Sequence, residues 1–406
     1  MSAALEPANE WGLDDDGRRD DNMCTMITRV DPMGAQGSSR GKGRIAASAA
    51  IAGLLLAALL LVAPARVRGT APVTASRLTD QEFWKLASGF SEPDGTFHSE
   101  NLVSNEAGFQ SILPQLEATA VSGRAYVGVG SEQNFSYIAT VRPSLAFIVD
   151  VRRGNFDLHL LYKALFELSA DRADFVSRLF SRKRPADLAP SPSATAIFAA
   201  YEKAAPSPEL YERNLAAVWA HLTTKHGFAL SPDDKRGLAF VYDAWFKQGP
   251  DIHYELTNGG FGGRGGPGGF PTYADLMTST DGEGRNRSYL ASEASFAFVK
   301  DLESRNMVVP VVGNFGGTKA LRAVASYLRQ RGMIVSAFYV SNVEQYLRQD
   351  GLWERFCANA NGFPVDGSSV FIRSTRGGFG GQRGFGGGFG LSLVPIAREV
   401  AACTVR

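Results

Sequence analysis

The chain has 406 residues, 44% of them hydrophobic, and a formal net charge of +1. That is apolar material enough for one large domain or two small ones, and a charge too near zero to recruit nucleic acid or an acidic surface through its overall field. The three cysteines, Cys24, Cys357 and Cys403, show no CxxC or zinc-type spacing; Cys357 and Cys403 are available to pair in an exported domain, which spacing alone does not decide.

Residues 1–44 are polar, with acidic clusters at Asp14–Asp16 and Asp20–Asp21, and read as a disordered leader in which Met26 or Met33 offers an alternative start. Ile45–Ala65 carries no charge and just reaches the roughly 20 residues that span a bilayer. Arg40, Lys42 and Arg44 precede it and Arg66 and Arg68 follow it, a weak bias towards N-in, C-out. The expectation is a transmembrane anchor or signal sequence over 45–65, since Ala63-Pro64-Ala65 and Val73-Thr74-Ala75 resemble cleavage sites. A linker at 66–77 then leads to a soluble domain, 78–406, placed outside the cytosol, periplasmic rather than cytosolic.

In that domain Thr79, with Glu82 three residues on, predicts a capped helix to about Phe90. A turn-rich loop follows, and Ser104 or Asn105 caps a second helix to about Thr119. Arg124–Asn155 then reads as strand, glycine turn, helix and strand: Ala125–Val129, Gly128 and Gly130, Phe135–Val141, and Leu145–Val149 ending at Asp150. Apolar runs without alternation suit strands buried on both faces of a parallel sheet. Helices follow at Phe156–Leu168 and Asp171–Phe180, and residues 171–248 form a helical insertion that reads as a lid. After a helix at Tyr289–Arg305 come a strand at 307–313, a helix at Gly316–Arg331, a strand at 333–340, a helix at Asn342–Gln349 and a short strand at Val370–Ile372. The fold class predicted is α/β, a doubly wound, mainly parallel, Rossmann-like sheet with a helical insertion.

Two glycine tracts interrupt this pattern. Gly259–Phe270 holds eight glycines in twelve residues and Arg376–Gly390 nine in fifteen, compositions that read as surface loops. Arginine/glycine contact with RNA is the alternative; with only Arg264, Arg376 and Arg383 inside the tracts, a nucleic-acid partner is not expected.

Several residues fall where a ligand would be met. Gly128 and Gly130 let the backbone approach it, and Glu132, Gln133 and Asn134 follow at the carboxyl edge of the sheet. Asp150 lies twenty residues past Gly130, where nucleotide-binding halves place their ribose-binding acid, with a salt bridge to Arg152 or Arg153 as its other reading. Arg152 suits a phosphate or carboxylate. His159, Lys163 and Glu167 share one helical stripe, either a cleft wall supplying acid–base chemistry or a solvated ion-paired face. Asn342 and Glu344 follow a buried strand directly, Asn314 does so more weakly, and Ser104, Asn105 and Glu106 are placed to close over the cleft. His159, Asn342 and Glu344 are the catalytic candidates. No H-x-x-x-H pair, G-x-S-x-G elbow or P-loop is present, so no metal is expected and serine esterase and P-loop chemistry are disfavoured.

The run YVGVGSEQNFSYIATVRPSLAFIVDVRRGNFDLHLLYKALFELSADRADFVSRLFSRKRP, together with LTDQEFWKLASGFSEPDGTFHSENLVSNE, YLASEASFAFVKDLESRNMVVPVVGNFGGTKALRAVASYLRQRGMIVSAFYVSNVEQYL and the FIRS near 371, resembles an uncharacterised bacterial family with a class I S-adenosylmethionine methyltransferase-like fold. The likeness covers roughly 78–375. It implies S-adenosylmethionine as the cofactor to consider and methyl transfer as the reaction if there is one. Such enzymes carry an acid two residues before the first loop glycine, where this chain has Tyr126, and often a third glycine where it has Glu132. The expectation is a membrane-tethered protein binding a nucleoside-containing small molecule, with a non-catalytic extracytoplasmic binding or interaction protein of the same fold as the alternative.

Overall fold

The computed structural model describes residues 77–255, 269–376 and 389–403. The expected leader, the 45–65 segment and nearly all of the linker lie outside the described residues, as do most of the two glycine tracts. Among the described residues no helix is long and apolar enough to cross a membrane.

Helix α1 (Asp80–Phe90) starts as its sequence dictates: the Thr79 hydroxyl accepts from the Glu82 N–H at 3.1 Å, and the Glu82 carboxylate accepts from the Thr79 N–H at 2.8 Å. The helix expected from Ser104 or Asn105 starts later. Those residues lie in an extended loop, followed by a 3₁₀ turn at Phe109–Ile112 and α2 (Leu113–Thr119). Then come β1 (Ala125–Gly128), α3 (Gln133–Val141), β2 (Leu145–Asp150) and α4 (Arg153–Leu168), each within three residues of its predicted bounds.

The described residues between α4 and the third strand are mainly helical, as their caps and prolines require: α5 (Arg172–Phe180), α6 (Ala194–Glu202), α7 (Pro208–Ala220) running into a π-helical turn at His221–Lys225, α8 (Pro232–Gln248), α9 (Tyr273–Thr278) and α10 (Glu293–Ser304). Helix α8 packs along α4, and its Trp245 is fully buried, edge-on to Tyr162 with ring centroids 6.1 Å apart. The insertion is therefore a layer of the core.

The remaining elements are β3 (Val308–Val312), α11 (Ala320–Gln330), β4 (Val335–Ser341), α12 (Val343–Gln349), α13 (Trp353–Asn361), β5 (Val370–Arg376), β6 (Phe389–Pro395) and α14 (Ile396–Cys403). Six strands form one sheet in the order β3-β2-β1-β4-β5-β6, with β1 to β5 parallel and β6 antiparallel to β5. This is an α/β architecture with a mostly parallel sheet, compatible with a Rossmann-like fold. Strands β1, β2 and β3 are buried at every position, which is why their sequences run apolar without alternation. Among the described residues, α9, α13, β6 and α14 escape sequence reading. Strand β6 follows the second glycine tract and is stabilised by pairing with β5 from Val370↔Pro395 to Arg376↔Phe389, a partner that composition does not reveal. Helix α14 is tied to α13 by a disulfide between Cys357 and Cys403, whose Cα atoms are 5.9 Å apart.

Candidate functional site

The strand order reverses between β1 and β4, and a cleft opens there at the carboxyl ends of the strands, where open α/β sheets take their ligands. Its floor and walls come from Gly130, Ser131 and Gln133 after β1, Asp150 and Arg152 after β2, Asn314 after β3, and Ser341 and Asn342 after β4. Its cover is the loop between α1 and α2, through residues such as Phe97, Asn101 and Ser104, with Tyr254. No residue of the expected lid, 171–248, lines it. Phe97 meets Tyr346 of α12 edge-on at 5.1 Å, giving the cleft an aromatic wall that sequence reading did not anticipate. The cavity holds about 140 Å³, less than the roughly 300–1,000 Å³ of most small-molecule sites.

The β1–α3 loop divides the predicted residues. Gly130, at φ 80°, occupies the left-handed region that glycine enters without steric cost, and it lines the cleft. Gly128 serves packing instead: a Cβ there would fall 1.9 Å from Asn134 Oδ1 and 2.9 Å from the Tyr126 ring. Asn134 does not line the cleft. Its Nδ2 donates to the Val129 and Ser131 carbonyls at 2.9 and 2.8 Å, and its Oδ1 accepts from the Tyr126 hydroxyl at 2.8 Å. Tyr126, standing where methyltransferases of the resembled class carry an acid, thus helps to fix the loop from beneath.

Glu132 also turns inward. It is fully buried, its Oε1 accepting from the Ser104 N–H at 3.2 Å and its Oε2 having no partner. Burial pushes its carboxyl up to about 7, because a desolvated carboxylate is disfavoured. Gln133 reaches the cleft, yet its amide is engaged: Nε2 donates to Glu106 Oε2 at 2.7 Å and to the Tyr137 hydroxyl at 2.5 Å, and Oε1 accepts from the Ser104 hydroxyl. Glu106, itself buried and with its carboxyl raised by burial, accepts from the Ser341 hydroxyl at 2.8 Å. This network stitches cover, β1 loop and β4 end together. Ser341 sits at φ 50°, a left-handed position uncommon for serine.

The Glu132 environment sets a pH dependence. The folded carboxyl binds its proton more tightly than the unfolded one, so its contribution is complete below about pH 4.5 and is lost as pH rises through 7. Glu132→Gln is expected to abolish this and to stabilise the protein at pH 8 relative to wild type, by up to roughly 3 kcal/mol. Urea midpoints of the two proteins at pH 5 and pH 8 check it; parallel pH profiles would contradict it.

Asp150 and Arg152 are each other's partners. Asp150 Oδ1 accepts from the Arg152 N–H and Nε, both at 3.0 Å, and Oδ2 accepts from NH2 at 2.9 Å. Arg152 NH1 donates to the Ser99 carbonyl at 3.3 Å and to that of Glu100. The pair lines the cleft, both residues about 5% exposed, and its guanidinium ties the cover to the sheet. Arg152 is therefore a positioning residue whose donors are already engaged.

Two of the three catalytic candidates lie outside the cleft. His159 is buried beneath the β1 loop, its Nε2 2.9 Å from the Gly130 carbonyl. Burial lowers its pKa to about 4, so the ring is neutral, with the proton on Nε2 donated to that carbonyl. Glu344 is drawn aside by Arg373, whose NH2 donates to it at 2.7 Å while NH1 donates to Glu399 at 2.6 Å. Asn342 does line the cleft, and it begins α12 without a side-chain capping bond. The stripe His159, Lys163 and Glu167 is neither a cleft wall nor solvated: all three side chains are buried.

The start of α11, where phosphate-binding folds take an anion, is filled by the chain itself. Glu92 Oε1 accepts from the Lys319 and Ala320 N–H groups at 2.8 and 3.0 Å, and Oε2 accepts from Asn314 N–H at 3.0 Å. A Cβ at Gly317 would meet both carboxylate oxygens, at 2.4 and 2.5 Å. What the cleft offers a ligand is therefore polar side chains at its rim, aromatic surface from its cover and a self-neutralised ion pair.

Residues 101–386 match the model of a family described as a domain of unknown function, DUF7790. Comparison with curated proteins gives no match.

Proposed function

The chain belongs to the DUF7790 family, and from that premise we propose that it binds a nucleoside-containing or similarly polyhydroxylated small molecule in the cleft between β1 and β4. The observation that carries this reading is the place of the cleft, at the carboxyl edge of the sheet where the strand order reverses. Phe97 and Tyr346 supply surface for a flat ring, and Ser131, Asn314 and Asn342 supply polar groups for hydroxyls. S-adenosylmethionine is the first ligand to test, because the sequence resembles an uncharacterised family with a methyltransferase-like fold. Methyl transfer, if it occurs, rests on holding donor and acceptor in line rather than on acid–base groups.

A second reading, recognition without catalysis, is favoured by the positions of His159 and Glu344, both outside the cleft. The Cys357–Cys403 disulfide supports an exported domain, in a compartment where S-adenosylmethionine is not made. A reporter fused after Arg406 decides the compartment. Calorimetric titration of the purified chain with S-adenosylmethionine and with adenosine then decides the ligand class. Asn342→Ala is expected to weaken that binding at least tenfold while leaving the thermal midpoint unchanged, because its side chain makes no capping bond. Absence of heat with both ligands, or full affinity in the variant, would overturn the reading.

A further inference from the structure

Glu167 lies in the last turn of α4, about 20 Å along the helix from its cleft end. Its Oε2 faces two imidazoles, His221 Nε2 and His226 Nε2, each at 2.9 Å. The three ligand atoms lie within 4.8 Å of one another. The side chains of Glu167, His221 and His226 are all at least nine-tenths buried.

The backbone departs from regular geometry to achieve this. Residues five apart on an α-helix point about 140° away from each other. Here His221–Lys225 is a π-turn, and the His226 N–H donates to the His221 carbonyl at 3.1 Å. That i→i+5 bond brings both histidines to one face, and such turns recur at functional sites.

A second, independent observation concerns the far side of His226. Its Nδ1 lies 2.7 Å from Asp80 Oδ1, and Asp80 is itself held by Asn306 Nδ2 at 2.8 Å. A carboxylate accepting the N–H of one ring nitrogen favours the tautomer whose other nitrogen carries the lone pair, the usual support of a metal-bound histidine. That nitrogen faces the Glu167 oxygen at 2.9 Å, a separation that either a proton or a cation between the two atoms satisfies. Lys225 Nζ supplies one in part, at 2.8 Å from Glu167 Oε2 and 3.3 Å from His221 Nε2. Its side chain is 57% exposed, so it can withdraw. Lys163 Nζ holds the other oxygen, Oε1, at 2.8 Å, leaving Oε2 for a single metal bond.

We propose that His221, His226 and Glu167 form a zinc-type site that ties α4, the π-turn and the start of α1 together, remote from the cleft. Two imidazoles and one carboxylate leave a fourth position for water, and imidazole donors favour zinc-like ions over magnesium or calcium. Bonds of about 2.0 Å place tetrahedral ligand atoms roughly 3.3 Å apart, so the Glu167 oxygen, now 2.9 Å from each imidazole nitrogen, draws back slightly as the metal enters.

The test uses the full-length chain, purified in detergent, stripped with a chelator and titrated with zinc alone, with bound metal counted per chain. One zinc per chain is expected, raising the thermal midpoint, and cobalt in its place should show the visible absorption of a four-coordinate site. His221→Ala is expected to lower zinc affinity at least tenfold, and Asp80→Asn about 10–100-fold through the ligand it orients. Lys225→Ala changes an exposed side chain and is expected to tighten binding, since the competing ammonium is gone. Failure of both the wild type and Lys225→Ala to take up stoichiometric zinc would overturn the site. So would zinc retained at full affinity in His221→Ala.

Discussion

Arg152→Ala is expected to destabilise the domain by about 3–5 kcal/mol, because it leaves the Asp150 carboxylate buried without the guanidinium and its two donors, with only the backbone N–H of residue 152 remaining. The loss goes beyond the pair. The same guanidinium donates to the Ser99 and Glu100 carbonyls, so the cover loses an anchor and the amides of residues 99–106 should exchange with solvent faster than in the wild type. Asp150→Asn added to Arg152→Ala should recover part of the stability, since a neutral amide costs less to bury than an unpaired carboxylate. Urea denaturation of the single and double variants checks the first effect, and hydrogen exchange followed by mass spectrometry checks the second. A loss below about 1 kcal/mol would mean that the pair is solvated in solution. Unchanged exchange at the cover would mean that Arg152 does not hold it.

Loss of the Cys357–Cys403 disulfide should cost about 4 kcal/mol on the chain-entropy account, for a loop closed over 46 residues. The link joins α13 to α14, and α14 follows directly from β6, the antiparallel edge strand. Cutting it should therefore loosen β6 first. Cys357→Ser compared with wild type in urea, both without reductant, measures the effect while leaving Cys24 unchanged in each. Equal midpoints would show that the two cysteines are not joined in the purified protein.

Much of the local structure was legible in the sequence because it depends on neighbours in the chain. Thr79 and Glu82 form their capping box, Ser231 caps α8 with Pro232 at its first position, and the runs at Ala125, Leu145 and Val308 are buried strands. Of the residues expected at a ligand, Gly130, Gln133, Asp150, Arg152 and Asn342 do line the cleft, since a βα loop in a parallel sheet can leave only at its carboxyl edge. Glu132 and Asn134 sit one residue, and His159 about two helical turns, from that set, and all three point into the protein. Spacing places a Cα, but the direction of its side chain is fixed by packing. The turn at Gly128, closed around Asn134, rotates this loop so that alternate residues face cleft and core.

The sequence by itself determined most of the element types, the parallel part of the sheet and the edge at which a ligand site is expected, because periodicity, capping and turn chemistry act within a few residues. Only the tertiary structure decided that Asp150 answers Arg152, that Glu344 answers Arg373, and that Glu92 fills the start of α11. Each of these joins a charge to a partner chosen by burial, in two of the three cases across a long stretch of chain. It also decided that His221 and His226, five residues apart and so on different faces of any regular helix, converge on Glu167, because a single π-turn shifts their phase and the core closes around them.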